Sequence, residues 1–309
     1  LAMDRLLDYG FNLAPDTFLE GIRQVPPASF LVCDGKGLRV AAYWDIPMDS
    51  PPAGLSEDDA AEGLRHHLME AVRARLVSDV PVASYLSGGI DSSSVTGLYA
   101  HLSNAPVHTL SITFEDAGYD ERHFARMVSG AFGTTHHEFL CSIAAEEVGN
   151  LVWHLETPLV TLLNLPLYLL SRQIRDMGFK VVLSGDGADE ILGGYDYFKL
   201  LKLMSFIGRR ETPARANLLR RVFPGLASQQ QAWMQYAVLK GYPATHPALP
   251  YRFQAFQMKG QLLSDSFIER LLPKLEEREG ELPVVPGSRS LFDQALYLES
   301  RMRLPNLTL

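Results

Sequence analysis

The chain has 309 residues, of which 47% are hydrophobic and 21% charged, and its formal net charge is −8. This length is enough for two domains with separate cores, and the negative charge argues against nucleic acid or an acidic membrane surface as a partner. The longest apolar stretches are too short, and too often interrupted by polar residues, to span a membrane. Cys33 and Cys141 show neither a CxxC spacing nor neighbouring metal ligands, which predicts a protein of the reducing cytoplasm.

The first 48 residues predict a short helix and a β-hairpin. The helix is "LAMDRLLDYG", and the hairpin is "SFLVCDGKGLRVAAYWD", in which two strand-like runs flank a glycine-containing turn. Residues 47–56, "PMDSPPAGLS", have no periodicity and predict a linker. The chain starts without Met and stops in "LESRMRLPNLTL", so we expect a fragment of a longer protein.

Helical and strand-like patterns alternate from Ser56 to residue 200. Ser56 opens "SEDDAAEGLRHHLMEAVRARL", a periodic helix with acidic residues in its first turn. Strands are predicted at "VPVASYL", "VHTLSITF" and "FKVVLSG", each followed by a helix, the second of which runs from Asp120 to Phe132. This alternation predicts an α/β fold with a parallel sheet and helices on both faces. After residue 200 only helical patterns follow, at "ARANLLRRV", "SQQQAWMQYAVL", "SDSFIERLLPKLEER" and "SLFDQALYLESRM".

Two of the predicted strands end in similar polar motifs, "LSGGID" and "LSGDGADE". The first leads through two glycines into a helix, which directs backbone N–H groups and the positive end of the helix dipole at one anion-binding volume. Because parallel strands end at one edge of the sheet, Asp91 is expected to face Asp189, with Asp186 and Glu190 nearby. Carboxylates repel a polyphosphate unless a cation lies between them, so the motifs predict Mg²⁺. The alternatives are an ordinary strand–helix connection and a set of solvated capping acids.

Other nucleotide and metal motifs do not match. "GDGADEILGG" has Glu190 where a dinucleotide fingerprint requires its third glycine. Its acids also miss the spacing of a calcium loop. The sequence contains no Gly-x-x-x-x-Gly-Lys-Ser/Thr motif, which argues against a Walker-type nucleotide hydrolase.

The motifs taken together resemble those of a known family. "LSGGIDSS" resembles the PP-loop of the ATP-pyrophosphatases, and with "SITF", "YDER", "GTTHHEF" and "LSGDGADEILGGY" it is similar to the synthetase domain of the glutamine-hydrolysing (class B) asparagine synthetases. Upstream, "DTFLEGIRQVPPASFLV" and "YWD" are similar to the end of the glutaminase domain that precedes this synthetase. The resemblance implies an α/β, parallel-sheet PP-loop (adenine nucleotide alpha hydrolase-like) domain over residues 51–205, a helical and truncated C-terminal region over 206–309, and a glutaminase tail over 1–50.

The resemblance also implies roles for individual residues. Asp91 and Asp189 would hold Mg²⁺ on the pyrophosphate, and Asp186 would steer or deprotonate ammonia as a general base. The first motif would cradle the β- and γ-phosphates of ATP, two neighbouring strand ends would contact adenosine through backbone groups, and the second motif would complete the nucleotide site. The residues implied to bind ATP are Leu86, Ser87, Gly88, Gly89, Asp91, Ser92, Ser93, Ile112, Ser184 and Gly185.

The implied reaction is the ATP-dependent amidation of a carboxylate in two steps. A substrate carboxylate, aspartate in the family, attacks the α-phosphate to give an acyl-adenylate and pyrophosphate. Ammonia, released from glutamine in the full-length protein, then displaces AMP. The fold would contribute positioning and charge neutralisation. The implied partners are small molecules, and a homodimer is left open.

Three departures from the family pattern leave alternatives open. The N-terminal nucleophilic cysteine of the glutaminase domain is absent, and neither Cys33 nor Cys141 has the free α-amino group that this domain uses as its base. The lysine that reaches the α-phosphate would lie beyond residue 309. Residues 157–170, "TPLVTLLNLPLYLL", are more apolar than expected near the acceptor pocket, which favours a relative that amidates another carboxylate or closes a ring. A non-catalytic ATP-binding module is the third hypothesis.

Overall fold

A computed structural model describes residues 2–48, 54–115, 121–159, 161–195, 198–199 and 290–308, together with the single residues 202, 221, 264 and 285. The chain divides into two compact units. The sheet unit is Asp49–Ala188, and the terminal unit combines Leu1–Met48 with Asp189–Leu309. The domain boundaries that the sequence predicts after residues 50 and 205 stay predictions.

In chain order, the described residues form helix α1 (Ala2–Tyr9), strands β1 (Ser29–Asp34) and β2 (Gly37–Ala42), helix α2 (Glu57–Arg75), strand β3 (Val82–Tyr85), helix α3 (Ile90–Leu102), strand β4 (His108–Thr113), helix α4 (Arg122–Phe132), strand β5 (Thr135–Leu140), helices α5 (Ala145–Leu155) and α6 (Asn164–Asp176), strand β6 (Val181–Leu183), and helices α7 (Ala188–Leu192) and α8 (Leu291–Leu298). A π-helical segment, Glu299–Thr308, follows α8 directly. No helix in these described stretches is long and apolar enough to cross a membrane.

The sheet unit is built on a four-stranded sheet in the order β5-β4-β3-β6. Each neighbouring pair of strands is parallel, which confirms the predicted α/β fold. β4 lies on one side of β3 and β6 on the other, so the direction in which strands are added reverses between them. In parallel α/β sheets, ligands bind outside the carboxyl ends of the strands at such a switch point. Here the switch point lies at the ends of β3 and β6, where the two sequence motifs begin.

Helices cover both faces of this sheet, as the alternating pattern predicts. Side chains alternate between the two faces of a strand, so Val82 and Ala83 of β3 pack into different cores. Val82 packs with Val72 of α2 and Tyr99 of α3, whereas Ala83 packs with Leu170 of α6. Fully burying an aliphatic side chain contributes roughly 1.5–3 kcal/mol. The two cores therefore fix β3, and with it the start of the loop that follows.

Helix α2 begins where the sequence predicts. The side chain of Ser56 accepts a hydrogen bond from the backbone N–H of Asp59 at 3.1 Å, and Glu57, Asp58 and Asp59 occupy the first turn. Such a cap stabilises a helix by about 1 kcal/mol, and the acidic residues interact favourably with the helix dipole. The same type of start recurs at α8, where Ser290 accepts from the N–H of Asp293 at 3.2 Å.

In the terminal unit, the two ends of the chain share one core. Tyr9 packs with Tyr297 and Met302. The Tyr297 hydroxyl donates to the carboxylate of Asp45, with distances of 3.1 and 2.9 Å to its two oxygens. The predicted hairpin is confirmed as the antiparallel pair β1 and β2, and β2 begins directly after the turn with Gly37 at a φ of +119°.

Only part of the predicted helical region can be compared with the structure. The pattern "SLFDQALYLESRM" forms α8 and the first part of the π-helical segment. The other three helical patterns lie, apart from single residues, outside the described residues.

Candidate active site

The first motif forms the loop between β3 and α3. Leu86 is fully buried, and its backbone N–H donates to the carbonyl of Leu110 in β4 at 2.9 Å. Gly88 has a φ of +90°, a conformation that residues with side chains avoid, and Gly89 occupies the N-cap position of α3. No side-chain hydrogen bond caps this helix. The first turn of a helix has N–H groups without intrahelical partners, and an anion is a favourable partner for them.

The serines of this loop fall into two groups. Ser87 Oγ and Ser92 Oγ lie 3.0 Å apart, Ser87 Oγ accepts from the N–H of Gly89 at 3.2 Å, and Ser92 Oγ donates to the Gly89 carbonyl at 3.2 Å. Ser93 differs, because its Oγ is buried and has no hydrogen-bond partner in the described part of the chain. A buried hydroxyl without a partner is costly. The binding of a phosphate oxygen by Ser93, which lies in the first turn of α3, stays a prediction.

The second motif forms the loop between β6 and α7. The N–H of Asp186 donates to Ser184 Oγ at 3.3 Å, and the N–H of Ala188 donates to the Gly185 carbonyl at 3.3 Å. Gly187 supplies the left-handed residue of the turn, with a φ of +95°. Asp186 is exposed. The loop therefore presents a carboxylate to solvent shortly after the end of β6.

The two loops touch at Gly185. A Cβ atom added to Gly185 would lie 2.8 Å from the backbone nitrogen of Ser92, 2.9 Å from the carbonyl carbon of Asp91 and 3.0 Å from Asp91 Cβ. Glycine permits this close approach of one backbone to another because it has no side chain. The contact brings together residues of both motifs that the sequence predicts for the nucleotide site.

Tyr85 also lies at this site, although neither motif includes it. Its hydroxyl is 2.9 Å from Ser171 Oγ in α6. Burial raises the pKa of Tyr85 above its ordinary value, the hydrogen bond to Ser171 opposes this rise, and the negative charge of Asp186 adds to it. Tyr85 is therefore a neutral phenol at pH 7, close enough to Asp186 to respond to its charge. A tyrosine in an apolar strand is typical of core packing, so its position beside Asp186 could not be predicted from the sequence.

The predicted roles of Ile112 and Asp189 are not tested by the contacts described above. Ile112 is half-buried in β4 opposite Phe139 of β5, and its contact with adenosine stays a prediction. Asp91 belongs to the sheet unit and Asp189 to the terminal unit, so their pairing about one Mg²⁺ also stays a prediction. Among the described residues, no group of three or more His, Cys, Asp and Glu side chains could hold a metal ion. A Mg²⁺ shared with a polyphosphate needs only one or two carboxylates.

Helix α4 packs directly against Gly88. A Cβ atom added to Gly88 would lie 2.5 Å from the backbone nitrogen of Ala125 and 2.6 Å from Phe124 Cβ. The guanidinium of Arg126 ties α4 to β5, because its Nε and Nη2 donate to Glu138 at 2.6 and 2.7 Å. This hydrogen bond is the main reason that the pKa of Glu138 lies below its ordinary value. The first loop therefore rests on a helix that is itself bound to the sheet.

We expect Gly88→Ala to destabilise the fold severely. The alanine would have to adopt a φ of +90° and would overlap backbone atoms of α4 that cannot rotate away. Backbone strain and overpacking together cost about 2–6 kcal/mol. The denaturant midpoint of unfolding measures the loss. The control is Gly130→Ala in α4, where a Cβ meets nothing within 4 Å; equal midpoints for the two variants would contradict the packing described.

Part of the apolar stretch before α6 is exposed. Leu162 and Leu163 expose 46% and 62% of their surface, whereas Leu165 and Leu169 are buried in a core with Leu151 of α5. Helix α6 packs on the sheet and turns directly into β6, so it runs opposite to the strands. Its N-terminal end therefore lies at the carboxyl edge of the sheet. The two exposed leucines are at the same edge as the two polar loops.

Comparison with known proteins shows extensive similarity to one family. The family model described as asparagine synthase matches residues 63–309. The chain is 35% identical over 214 residues to Amidase chry2 of Gibberella zeae, which covers 63% of this chain and 32% of that protein. It is also 35% identical over 241 residues to asparagine synthetase (glutamine-hydrolyzing) 3 of Bacillus subtilis, which covers 70% of this chain and 38% of that protein. The chain thus spans about a third of the length of these curated relatives.

Solved structures show weaker similarity. NMN synthetase from Francisella tularensis has a TM-score of 0.32 and 12% identity, covering 76% of this chain and 99% of that one. NH3-dependent NAD synthetase from Campylobacter jejuni has a TM-score of 0.30 and 15% identity, covering 76% of this chain and all of that one. Both TM-scores are below 0.5, so neither structure supports an inference about this chain. The family match, in contrast, starts within α2 and includes both polar loops and the whole parallel sheet. The chain therefore belongs to the asparagine synthase family.

Proposed function

We propose that this chain carries the synthetase site of an ATP-dependent ligase that converts a carboxylate into an amide and releases AMP and pyrophosphate. The observation that carries the proposal is the contact of Gly185 with Asp91 and Ser92. It joins two polar loops at the switch point of a parallel sheet, in a member of the asparagine synthase family. In the longer, cytoplasmic protein that we envisage, glutamine supplies the ammonia.

The first loop binds the β- and γ-phosphates of ATP in this proposal. The first turn of α3 supplies N–H groups and the positive end of a helix dipole. The buried hydroxyl of Ser93 supplies a hydrogen-bonding group that has no partner among the described residues. Ser87 and Ser92 shape the loop through their mutual hydrogen bond. The rest of the nucleotide site is formed by Leu86, Gly88, Gly89, Ile112, Ser184 and Gly185.

Asp91 explains why the site requires a cation. It lies in the first turn of α3, where the phosphates are proposed to bind, and two negative groups repel each other there. Asp91 would hold Mg²⁺, with Asp189 as the second proposed ligand. When bound, the ion would neutralise charge on the pyrophosphate leaving group.

The proposed reaction has two steps. A carboxylate oxygen of the acceptor attacks the α-phosphorus, the bond from that phosphorus to the bridging oxygen breaks, and pyrophosphate leaves. Ammonia then attacks the acyl carbon and gives up a proton, and AMP leaves with the former carboxylate oxygen. Asp186 is exposed, and its charge acts on Tyr85 at the end of β3. It is the group that we assign to orienting ammonia or accepting its proton.

Two acceptors are supported by different observations. Aspartate, with asparagine as the product, follows from similarity to an asparagine synthetase of Bacillus subtilis. A less polar carboxylate, or one that closes a ring, is favoured by the exposed Leu162 and Leu163 at the edge of the sheet, because ligand pockets are lined mainly by apolar side chains. An ATP-binding module without turnover is the remaining candidate, and the presence of both Asp91 and Asp189 argues against it.

The proposal is tested by identifying the products by mass. The protein is incubated with ATP, Mg²⁺, ammonium and one carboxylate at a time, starting with aspartate. AMP, pyrophosphate and asparagine formed together would support aspartate as the acceptor. AMP and pyrophosphate formed only with another carboxylate would support the reaction and change the acceptor. ADP and phosphate as the main products, or no product with any carboxylate, would contradict the proposal.

A further inference from the structure

The segment that follows α7 closes on Asp189. The backbone N–H groups of Gly193 and Gly194 donate to the Asp189 carbonyl at 2.8 and 3.1 Å. A Cβ atom added to Gly194 would overlap Asp189 Oδ1 and lie 3.0 Å from Asp189 Cγ. The carboxylate of Asp189 therefore lies across the position that a side chain of residue 194 would occupy.

The two glycines serve different purposes. Gly193 adopts the left-handed conformation, with a φ of +73°, and packs against Phe292 and Leu296 of α8. Gly194 has no such φ, so alanine would suit its backbone. The three atoms nearest to a Cβ at position 194 all belong to Asp189, namely Oδ1, Cγ and Cα. The absence of a side chain there accommodates the Asp189 carboxylate.

The next residues are held by a buried polar network. Glu190 is 1% exposed and accepts a hydrogen bond from the Tyr195 hydroxyl at 2.7 Å. The guanidinium of Arg303 lies 4.6 Å from the centre of the Tyr195 ring and pairs with the fully buried Glu299 at 3.2 Å. Ser300 Oγ donates to the Glu190 carbonyl at 3.3 Å. Buried polar groups are stabilised by hydrogen bonds and ion pairs, so this network links α7 to the π-helical segment.

We infer that Gly194 and Tyr195 are positioning residues for the Asp189 carboxylate. Gly194 leaves room for one orientation of the carboxylate, and Tyr195 fixes the helix that carries it through Glu190. Arg303 and Glu299 extend this support into the π-helical segment. The inference rests on the proposed function, in which Asp189 is a ligand of Mg²⁺.

Gly194→Ala is expected to alter the use of Mg²⁺ without unfolding the protein. The overlapped atom is the end of a flexible side chain, so the Asp189 carboxylate rotates away while the backbone stays in place. Loss of support for a metal ligand typically costs about 10–100-fold in metal affinity or activity. We expect two Mg²⁺ concentrations to rise by about that factor: the one for half-maximal AMP formation, and the one for half-maximal binding of a non-hydrolysable ATP analogue measured by calorimetry. Tyr195→Phe keeps the ring but loses the bond to Glu190, and we expect a rise of about 10-fold.

Two control variants match these changes. Gly149→Ala in α5 also adds a methyl group to a glycine, but its Cβ would meet no atom within 4 Å. Tyr297→Phe also removes a tyrosine–carboxylate hydrogen bond from the terminal unit, the one to Asp45. Both controls should keep the wild-type Mg²⁺ requirement. A purely structural role for Tyr195 would lower the melting temperature and leave that requirement unchanged.

The outcomes separate this inference from the proposed function. Folded Gly194→Ala and Tyr195→Phe proteins with the wild-type Mg²⁺ requirement would overturn the inference alone. If Tyr195→Phe does not fold, the Mg²⁺ requirement of Gly194→Ala alone decides whether the inference holds. Wild-type protein that forms no AMP at any Mg²⁺ concentration would overturn the proposed function, and the inference with it.

Discussion

Gly185→Ala is expected to reduce amide formation by about 100-fold or more, because misplacing reacting groups by about 1 Å has an effect of this size. The added Cβ would lie 2.8 Å from the nitrogen of Ser92 and 2.9 Å from the carbonyl carbon of Asp91. Both are backbone atoms, which cannot rotate out of the way, so the two polar loops must separate. Overpacking of this kind also costs about 1–3 kcal/mol of stability. Steady-state kinetics with saturating carboxylate and ammonium, together with the denaturant midpoint, measure both effects.

The control for Gly185→Ala is Gly63→Ala in α2. A Cβ at Gly63 meets nothing within 4 Å, and alanine is the better helix former, so stability should be unchanged or slightly higher. Wild-type turnover in Gly185→Ala would mean that the contact between the two loops has no part in catalysis. That result would remove the main support for the proposed function.

Asp91→Asn is expected to lower turnover about 10²–10³-fold while leaving the fold intact, a loss typical of removing one preorganised electrostatic group from an active site. The amide has the size of the carboxylate but carries no charge to hold Mg²⁺. Loss of the favourable interaction with the helix dipole costs only about 0.3–1 kcal/mol. Parallel assays of AMP release and thermal unfolding separate the loss of chemistry from the loss of stability.

Asp58→Asn provides the matched control for Asp91→Asn. Asp58 also lies in the first turn of a helix, α2. It is exposed to solvent and belongs to neither polar loop. Its replacement should remove the same small stabilising interaction with the helix dipole and leave turnover unchanged. If both variants lose the same activity, the effect of Asp91 is structural and the metal-binding role is wrong.

The parts of the fold that follow from local pattern could be predicted from the sequence. Ser56 and the three acids after it indicate the start of α2, and alternating runs indicate the parallel sheet with helices on both faces. The two glycine-rich motifs were expected at one sheet edge because parallel strands end there. The contact of Gly185 with the first turn of α3 agrees with that expectation.

The parts that depend on distant contacts could not be predicted. Tyr85 in an apolar strand is typical of a core residue, and its link to Asp186 requires knowing that β6 lies beside β3. Gly194 follows a helix, where a glycine usually marks only the helix end. Its true constraint is the side chain of Asp189, five positions earlier, folded back over it. The bond between Tyr297 and Asp45 joins positions 252 residues apart, which no local pattern encodes.

The most direct test of the central claim follows the oxygen atoms of the acceptor. The acceptor carboxylate is labelled with ¹⁸O and incubated with the protein, ATP, Mg²⁺ and ammonium, and the products are analysed by mass. The oxygen that attacks the α-phosphorus stays with that phosphorus when ammonia displaces AMP, so one labelled oxygen should appear in AMP for each amide formed. Label in inorganic phosphate, with ADP as the other product, would mean attack on the γ-phosphorus and would contradict the account. Unlabelled AMP would equally contradict it, because the acyl-adenylate would then not be an intermediate.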